Sequence, residues 1–140
     1  MRVDAVTVLR ERGIQPSAQR VAVANYVLNT CDHPSADKVA STVRKKFPII
    51  SRATVYNTLN LMLEKGLLQE FVLDDGKTVF DANVASHHHF VDEHSGRIYD
   101  IPWESLRVLK LESLKGFEVK EYQVVVRGRV KGTSAKRVMK

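Results

Sequence analysis

The tightest constraint on this chain is the punctuation of its first 66 residues. Gly13, Pro16-Ser17, Pro34-Ser35, Pro48, Ser51 and Gly66 cut that stretch into four short segments. Glycine supplies the left-handed conformation that closes a helix, and a serine side chain caps the first backbone N–H groups of the next one. The residue before a proline is pushed out of the helical region. Between these breaks the apolar residues fall at helical spacing. Val3, Val6 and Leu9 begin an amphipathic stretch that Gly13 stops. Val21, Ala24, Val27 and Leu28 mark a second helix capped by Ser17. Ala36, Val39, Ala40, Val43 and Phe47 mark a third, capped by Ser35 and ended by Pro48. The fourth runs from Ser51 to Gly66, with Val55, Leu59, Met62 and Leu63 forming one core stripe.

Two runs of strand character follow, around Leu68–Leu73 and Thr78–Asp81, joined by the turn Asp74-Asp75-Gly76. Short helices followed by a two-stranded wing outline a winged helix-turn-helix. The composition shifts at residues 82–86, which are expected to form a hinge between a first domain, residues 1–81, and a second, residues 87–140. The second domain reads as a hairpin (His88–Val91 with Arg97–Ile101), a helix near Trp103–Leu114 and a strand near Phe117–Val126. Such an α/β unit is too small to bury much core by itself. Val124-Val125-Val126, its most buried expected strand, argues for pairing with a second copy of the chain. The expected class is therefore α+β.

Charge divides the chain in the same places. Residues 1–65 hold ten Lys/Arg against five Asp/Glu, residues 66–126 six against eleven, and residues 127–140 six against none. The overall balance of +6 thus conceals a basic first half, an acidic second half and a basic tail. A basic helical half invites a nucleic-acid reading, although net charge also serves plain solubility. No apolar run approaches the roughly 20 residues of a membrane-spanning helix, and the first residues lack a signal-peptide core. The lone cysteine, Cys31, excludes an intramolecular disulfide framework, so a cytoplasmic protein is expected. Cys31 itself is expected to be a partly buried thiol at a helix end.

The fourth helix turns Ala53, Tyr56, Asn57 and Asn60 away from its apolar stripe and carries Arg52 in its first turn. Asn can bond an adenine edge with two hydrogen bonds and Arg can do so with guanine, while Ser51 and Thr54 can reach phosphates. The same residues would also make an ordinary capped surface helix. Of the five histidines, His33 stands alone and His87, His88, His89 and His94 lie together. Residues i and i+2 of a strand share a face, so His87 and His89 project together and His88 points away. A hairpin with Glu93-His94-Ser95-Gly96 as its loop sets His89 opposite Asp100. Two imidazoles and a carboxylate on one face are competent to bind a transition metal, and the absence of nearby thiolate favours Fe(II), Mn(II), Zn(II), Co(II) or Ni(II) over Cu(I). A His-x-His pair is also commonly incidental.

Taken together these motifs resemble the ferric uptake regulator family. The resemblance rests on Gly13-Ile14 with Ser17 and Gln19-Arg20, on His33-Pro34-Ser35-Ala36-Asp37, on Ser51-Arg52-Ala53-Thr54-Val55-Tyr56-Asn57-Thr58-Leu59, and on His87-His88-His89-Phe90 with Ser95-Gly96 and Asp100. It spans roughly residues 9–126. It implies a dimeric, metal-dependent repressor of operator DNA, with a winged-helix domain and an α/β dimerisation domain, and no enzyme. DNA contacts are then expected from Gln19, Arg20, Ser51, Arg52, Thr54, Tyr56 and Asn57. The match is to the peroxide-sensing branch, whose regulatory site falls here on His33, Asp81, His87, His89 and Asp100. Asp100, where iron sensors commonly carry Glu, and Asn57 after Tyr56 favour that branch. The resemblance further implies Fe(II) or Mn(II) at this site, with Zn(II) able to replace them in vitro. On Fe(II), peroxide would oxidise His33 and His87 and end repression. A member of the family that responds to iron, manganese or zinc without sensing peroxide is the alternative. The chain also departs from the pattern. The first of the family's two zinc-binding Cys-x-x-Cys pairs falls on Asp92 and Ser95, so no structural zinc site is expected. Gln15 replaces a basic residue that enters the minor groove in many relatives.

Overall fold

Three of the four helices begin where a serine side chain takes up a first backbone donor, and the first begins after Asp4 without such a bond. In the computed structural model, which describes residues 2–132, α1 spans Ala5–Glu11, α2 Ala18–Asn29, α3 Ala36–Lys46 and α4 Arg52–Glu64. The hydroxyls of Ser17, Ser35 and Ser51 accept from the backbone N–H of Arg20, Lys38 and Thr54. In α3, Asp37 lies in the first turn and Arg44, Lys45 and Lys46 in the last, which suits the helix dipole at both ends. Gly13 and Gly66 close α1 and α4 with φ of 73° and 77°, a conformation that residues with a Cβ rarely adopt.

The chain folds as two compact units, Met1–Val84 and Ala85–Lys140. Leu9, Val23, Val27, Val39, Val55, Leu59 and Met62 are almost wholly buried at the centre of the first, so every helix contributes to one core. Asn29 ties the end of α2 to the start of α1, accepting from the Val3 N–H and donating to the Val3 carbonyl. One expected core position is exposed, and Val3, Val6, Val21, Leu28, Ala36 and Leu63 are half-buried. Phe47 is 41 % exposed, because it is the residue that caps α3 and lies beyond its last turn. Cys31 is exposed, in a bend after α2, and not partly buried as expected.

After α4 the wing forms from β1 (Gln69–Val72) and β2 (Thr78–Asp81), antiparallel, with Gln69 opposite Asp81. The Phe80 N–H donates to the Pro34 carbonyl at 2.8 Å, and Ser35 bridges Val79. The second strand of the wing is thereby fastened to the loop that precedes α3.

The second unit is a three-stranded sheet in the order β4-β3-β5, from β3 (His87–Asp92), β4 (Ile98–Pro102) and β5 (Val125–Gly128). β3 and β4 are antiparallel with His89 opposite Asp100, the register deduced from the loop length. β5 runs parallel to β3. Two expected elements are corrected here. In place of a helix over Trp103–Leu114 there are two single 3₁₀ turns, Trp103–Ser105 and Leu111–Ser113, separated by Lys110 in the left-handed region at φ 61°. Trp103 is held in a ring cluster, 4.6 Å from His88 and 4.7 Å from Tyr122, which fixes the chain where a helix would have to begin. The strand expected near Phe117–Val126 is shorter and later, because the Val124 N–H goes to the His88 ring at 2.9 Å and not to a neighbouring strand. Val124, Val125 and Val126 are half-buried on an edge strand. The last eight residues of the basic tail lie outside the described residues.

The β3–β4 loop is closed by one side chain. Asp92 accepts from the His94 and Ser95 N–H groups and from the Ser95 hydroxyl at 2.9 Å. Burial would raise its pKa, but these hydrogen bonds outweigh it and hold the carboxyl below the ordinary 3.8. A lowered folded pKa means that the stabilisation is complete above the unfolded value and is lost as pH falls through the folded one. The Asp92→Asn variant should therefore unfold at a lower temperature than the parent at pH 6. That difference in Tm should shrink as the pH drops below about 4, which thermal melts over a pH series will measure.

Candidate metal centre and nucleic-acid interface

Two groups of ligand-type side chains take shape, one in each unit. In the first unit the loop before α3 presents His33, and the end of β2 presents Asp81. The Pro34–Phe80 hydrogen bond brings the two together, His33 Nε2 to Asp81 Oδ2 at 3.2 Å, with both side chains over 90 % buried. The other oxygen, Oδ1, accepts from the Asn83 N–H at 2.9 Å. Asp81 is thus oriented by its own turn, with one oxygen directed at the imidazole.

In the second unit β3 supplies His87 and His89, and β4 supplies Asp100. The two Nε2 atoms face one another at 3.2 Å, and Asp100 Oδ1 lies 3.5 Å from the first and 3.7 Å from the second. The opposite ring nitrogens define the tautomers. His87 Nδ1 donates to the Ala85 carbonyl at 2.6 Å and His89 Nδ1 to Gln123 Oε1 at 2.9 Å. With Nδ1 protonated in each ring, both Nε2 lone pairs converge with a carboxylate oxygen. Three electron-rich atoms at such separations repel unless a proton or a cation lies among them. Ligands bonded at roughly 2.1 Å stand about 3.0 Å apart at right angles and about 3.4 Å apart in a tetrahedron. The triangle therefore fits a first-row divalent ion, and its nitrogen and oxygen donors suit iron, manganese or zinc.

His88, between these two, has a different task. It is fully buried on the opposite face, its Nε2 bonded to the Trp103 carbonyl at 3.1 Å and its Nδ1 accepting from Val124. The strand alternation read from the sequence separates it from the other two. Its role as the clamp between β3 and the residues before β5 carried no sequence signal, since it depends on where Trp103 and Val124 come to lie. His94 is exposed in the loop.

On α4 the expected DNA-contacting residues divide into two sets. Thr54 and Asn57 share a polar cleft of about 390 Å³ with Gln15, Ser17, Gln19 and Arg20 from the start of α2. Arg52 and Tyr56 lie toward α3, where both bond Asp37. The Ser51 hydroxyl is used as the helix cap and bonds the Thr54 hydroxyl at 3.0 Å. In the sequence Asp37 is only one residue of the His33–Asp37 motif, and its contact with the α4 residues depends on the packing of α3 on α4.

A winged helix with a fourth, outward-facing helix, followed by a small sheet that carries paired histidines, defines the class. The sequence model of the ferric uptake regulator family matches residues 11–127, and the chain belongs to that family. It is 34% identical over 127 residues to the peroxide operon regulator of Bacillus subtilis, covering 89% of this chain and 88% of that one. It is 29% identical to the peroxide-responsive repressor PerR of Staphylococcus aureus, covering 89% and 86%. Among solved structures, the Campylobacter jejuni peroxide stress regulator superposes with a TM-score of 0.66 at 27% identity, covering 94% of this chain and 99% of that one.

Gln123 reaches back from outside the β3–β4 hairpin to orient a ring whose other nitrogen faces the candidate ion. Substituting Leu for Gln123 is expected to weaken Co(II) binding about 10- to 100-fold. Visible-absorption titrations will read this, and circular dichroism should show an unchanged fold.

Proposed function

We propose that the protein is a metal-dependent, peroxide-sensing transcriptional repressor that binds operator DNA as a homodimer. The observation that carries this reading is the pair of imidazole Nε2 atoms facing each other beside the Asp100 carboxylate, with both Nδ1–H groups committed elsewhere. The relatives named as peroxide regulators support the choice of branch.

His33, Asp81, His87, His89 and Asp100 would together hold one Fe(II) or Mn(II), which joins the winged-helix domain, residues 1–81, to the second domain, residues 87–140, across a hinge at 82–86. Two donors from the first domain or three from the second make a weak site alone, whereas five make a strong one. In a dimer, fixing that hinge sets the separation of two α4 helices, which must be roughly 34 Å for half-sites one DNA turn apart. A coupling of about 5- to 150-fold between metal and DNA affinity is enough for a switch. Gln19, Arg20, Thr54 and Asn57 would face DNA from the polar cleft, Arg52 and Tyr56 from the opposite flank of α4, and Ser51 from its N-terminus. Val108, Leu109, Leu114, Phe117 and Val119 are exposed apolar residues of the second unit, and covering them against a second copy supports the dimer. A repressor must meet DNA, so the cytoplasm is its place of action.

When bound, Fe(II) would lend one electron to hydrogen peroxide and recover one from the oxidised ring, so that the imidazole is the net two-electron reductant. The imidazole of His33 or His87 would receive the oxygen: a ring C–H becomes a carbonyl, the nitrogen beside it takes up the proton, and the peroxide's second oxygen leaves as water. A ring so altered is a poor donor, and the two domains are no longer held. Each event consumes a side chain of the repressor, so this is a switch without turnover, in keeping with a family of regulators.

Gel shifts of operator duplex with Fe(II), Mn(II), Zn(II) or chelator, each with and without peroxide, test the reading. Metal-dependent binding that peroxide abolishes only in the Fe(II) form is expected, with one added oxygen on peptides containing His33 or His87. Release of DNA with both peptides unmodified would contradict the oxidation step. Binding that needs metal but ignores peroxide would leave a sensor of metal supply. The Asp100→Glu variant should retain metal-dependent binding and show a blunted peroxide response in the same assay.

A further inference from the structure

The first turns of α4 carry two of the reading groups, Arg52 and Tyr56, one helical turn apart. Both are engaged by a single carboxylate on the neighbouring helix. Asp37 Oδ1 accepts from Arg52 Nη2 at 2.7 Å and from the Tyr56 hydroxyl. The same Nη2 donates to Tyr56 Oη at 3.2 Å, and the guanidinium carbon lies 5.4 Å from the centre of the tyrosine ring. The cluster is open to solvent, the Asp37 and Arg52 side chains being 74 % and 53 % exposed. Exposed ion pairs contribute little to stability, so holding α3 to α4 does not account for it. The hydrogen bonds from Tyr56 and Arg52 lower the Asp37 pKa, so a carboxylate that is ionised at neutral pH in any case stays ionised further into acid.

What the cluster does change is the hydrogen-bonding character of the reading face. A DNA phosphate offers acceptors only, and it is bound by donors. The Tyr56 hydroxyl has one donor, and Asp37 takes it. Of the Arg52 donors, those on Nη2 are turned to Asp37 and Tyr56. What Tyr56 retains is a lone pair, which suits an amino group on a base edge and not a phosphate. Arg52 retains Nη1 and Nε donors, but these lie on opposite edges of the guanidinium, so a phosphate cannot be gripped by a two-donor fork and only single donors remain for an acceptor on a base edge. Asp37 thus occupies, with the right charge and the right acceptor atom, the place a phosphate would take on these two side chains.

We propose that Asp37 is a specificity-determining residue of the reading face, an internal surrogate for phosphate that keeps Arg52 and Tyr56 from sequence-independent contact with the DNA backbone. The inference rests on the reading that α4 faces DNA. On an unrelated sequence the backbone must displace Asp37 and lie against its charge. On the matching sequence the base edges engage the atoms that Asp37 leaves available, and the cluster stays intact.

The test uses the full-length Mn(II)-loaded protein, its Asp37→Asn and Asp37→Ala variants, and Asn57→Ala from the other flank of α4. Binding is followed by fluorescence anisotropy on two duplexes of equal length over a series of salt concentrations. One duplex is recovered from a randomised library by the unaltered protein, and the other is unrelated. Asn preserves size and an acceptor while removing the charge. The Asp37→Asn variant should bind the unrelated duplex about five-fold more tightly, as expected for one unfavourable charge removed from an exposed site. Its slope of log K against log salt should steepen by about 0.9, the signature of one added phosphate contact. Affinity for the selected duplex should change by less than about two-fold, so that discrimination falls. Asp37→Ala should shift both measurements in the same direction. Equal changes on both duplexes, or no change on the unrelated one, overturn the proposal. If Asn57→Ala weakens the selected duplex while both Asp37 variants are silent, α4 still reads DNA and only the role of Asp37 is refuted. If Asn57→Ala and the Asp37 variants are all silent, the reading of α4 fails and the proposal fails with it.

Discussion

The metal-dependent switch proposed for this protein depends on two imidazole rings held with their Nε2 atoms toward each other. Left to themselves, His87 and His89 would turn those lone pairs apart. Their Nδ1–H groups are instead tied to the Ala85 carbonyl and the Gln123 side chain, one close in sequence and one 34 residues away. The nearer tie comes from the turn that enters β3, the farther one from the segment that leads into β5. The topology of the small sheet, with β3 between β4 and β5, is what allows a single strand to be supported from both sides. His88 works in the same structure from the opposite face. Its contacts with Trp103 and Val124 anchor β3, and so the ligand pair projects from a strand that cannot easily twist.

Much of this was legible in the amino-acid order. Serine caps, proline and glycine breaks and the α4 apolar stripe are local signals, and α2, α3 and α4 each begin at the serine read as their cap. The hairpin register was legible for a related reason, since loop length and the two-residue alternation of a strand together set His89 opposite Asp100. The segment after Pro102 was not. Leu106, Leu109 and Leu114 suggest a helix by spacing, yet tertiary contacts prevail there, with Trp103 stacked on His88 and Lys110 turned into the left-handed region. β5 begins later than its apolar run suggests because a side chain, the His88 ring, takes the Val124 amide that a strand ladder would otherwise use. Phe47 and Cys31 differ for a simpler reason. Both lie just beyond helix ends, where periodicity no longer says which way a side chain points.

The outward face of α4 shows how closely reading and restraint can be placed. On one flank, Thr54 and Asn57 open onto a polar cleft shared with α2. On the other, Arg52 and Tyr56 are already bonded to an acid. A helix lined only with open donors would hold any polyanion. The division gives one flank that is open and one that offers only the atoms its acid leaves available.

The Asp92 turn has a consequence for supply. In the pattern this family follows, the corresponding pair of residues is cysteine, and folding of the hairpin draws on zinc. Here the loop is closed by a carboxylate, two amides and a hydroxyl from its own four residues. The strand that bears the candidate ligands His87 and His89 is thus finished from materials the ribosome provides. Closing this loop needs no zinc, so folding of the β3–β4 hairpin is uncoupled from the supply of that metal.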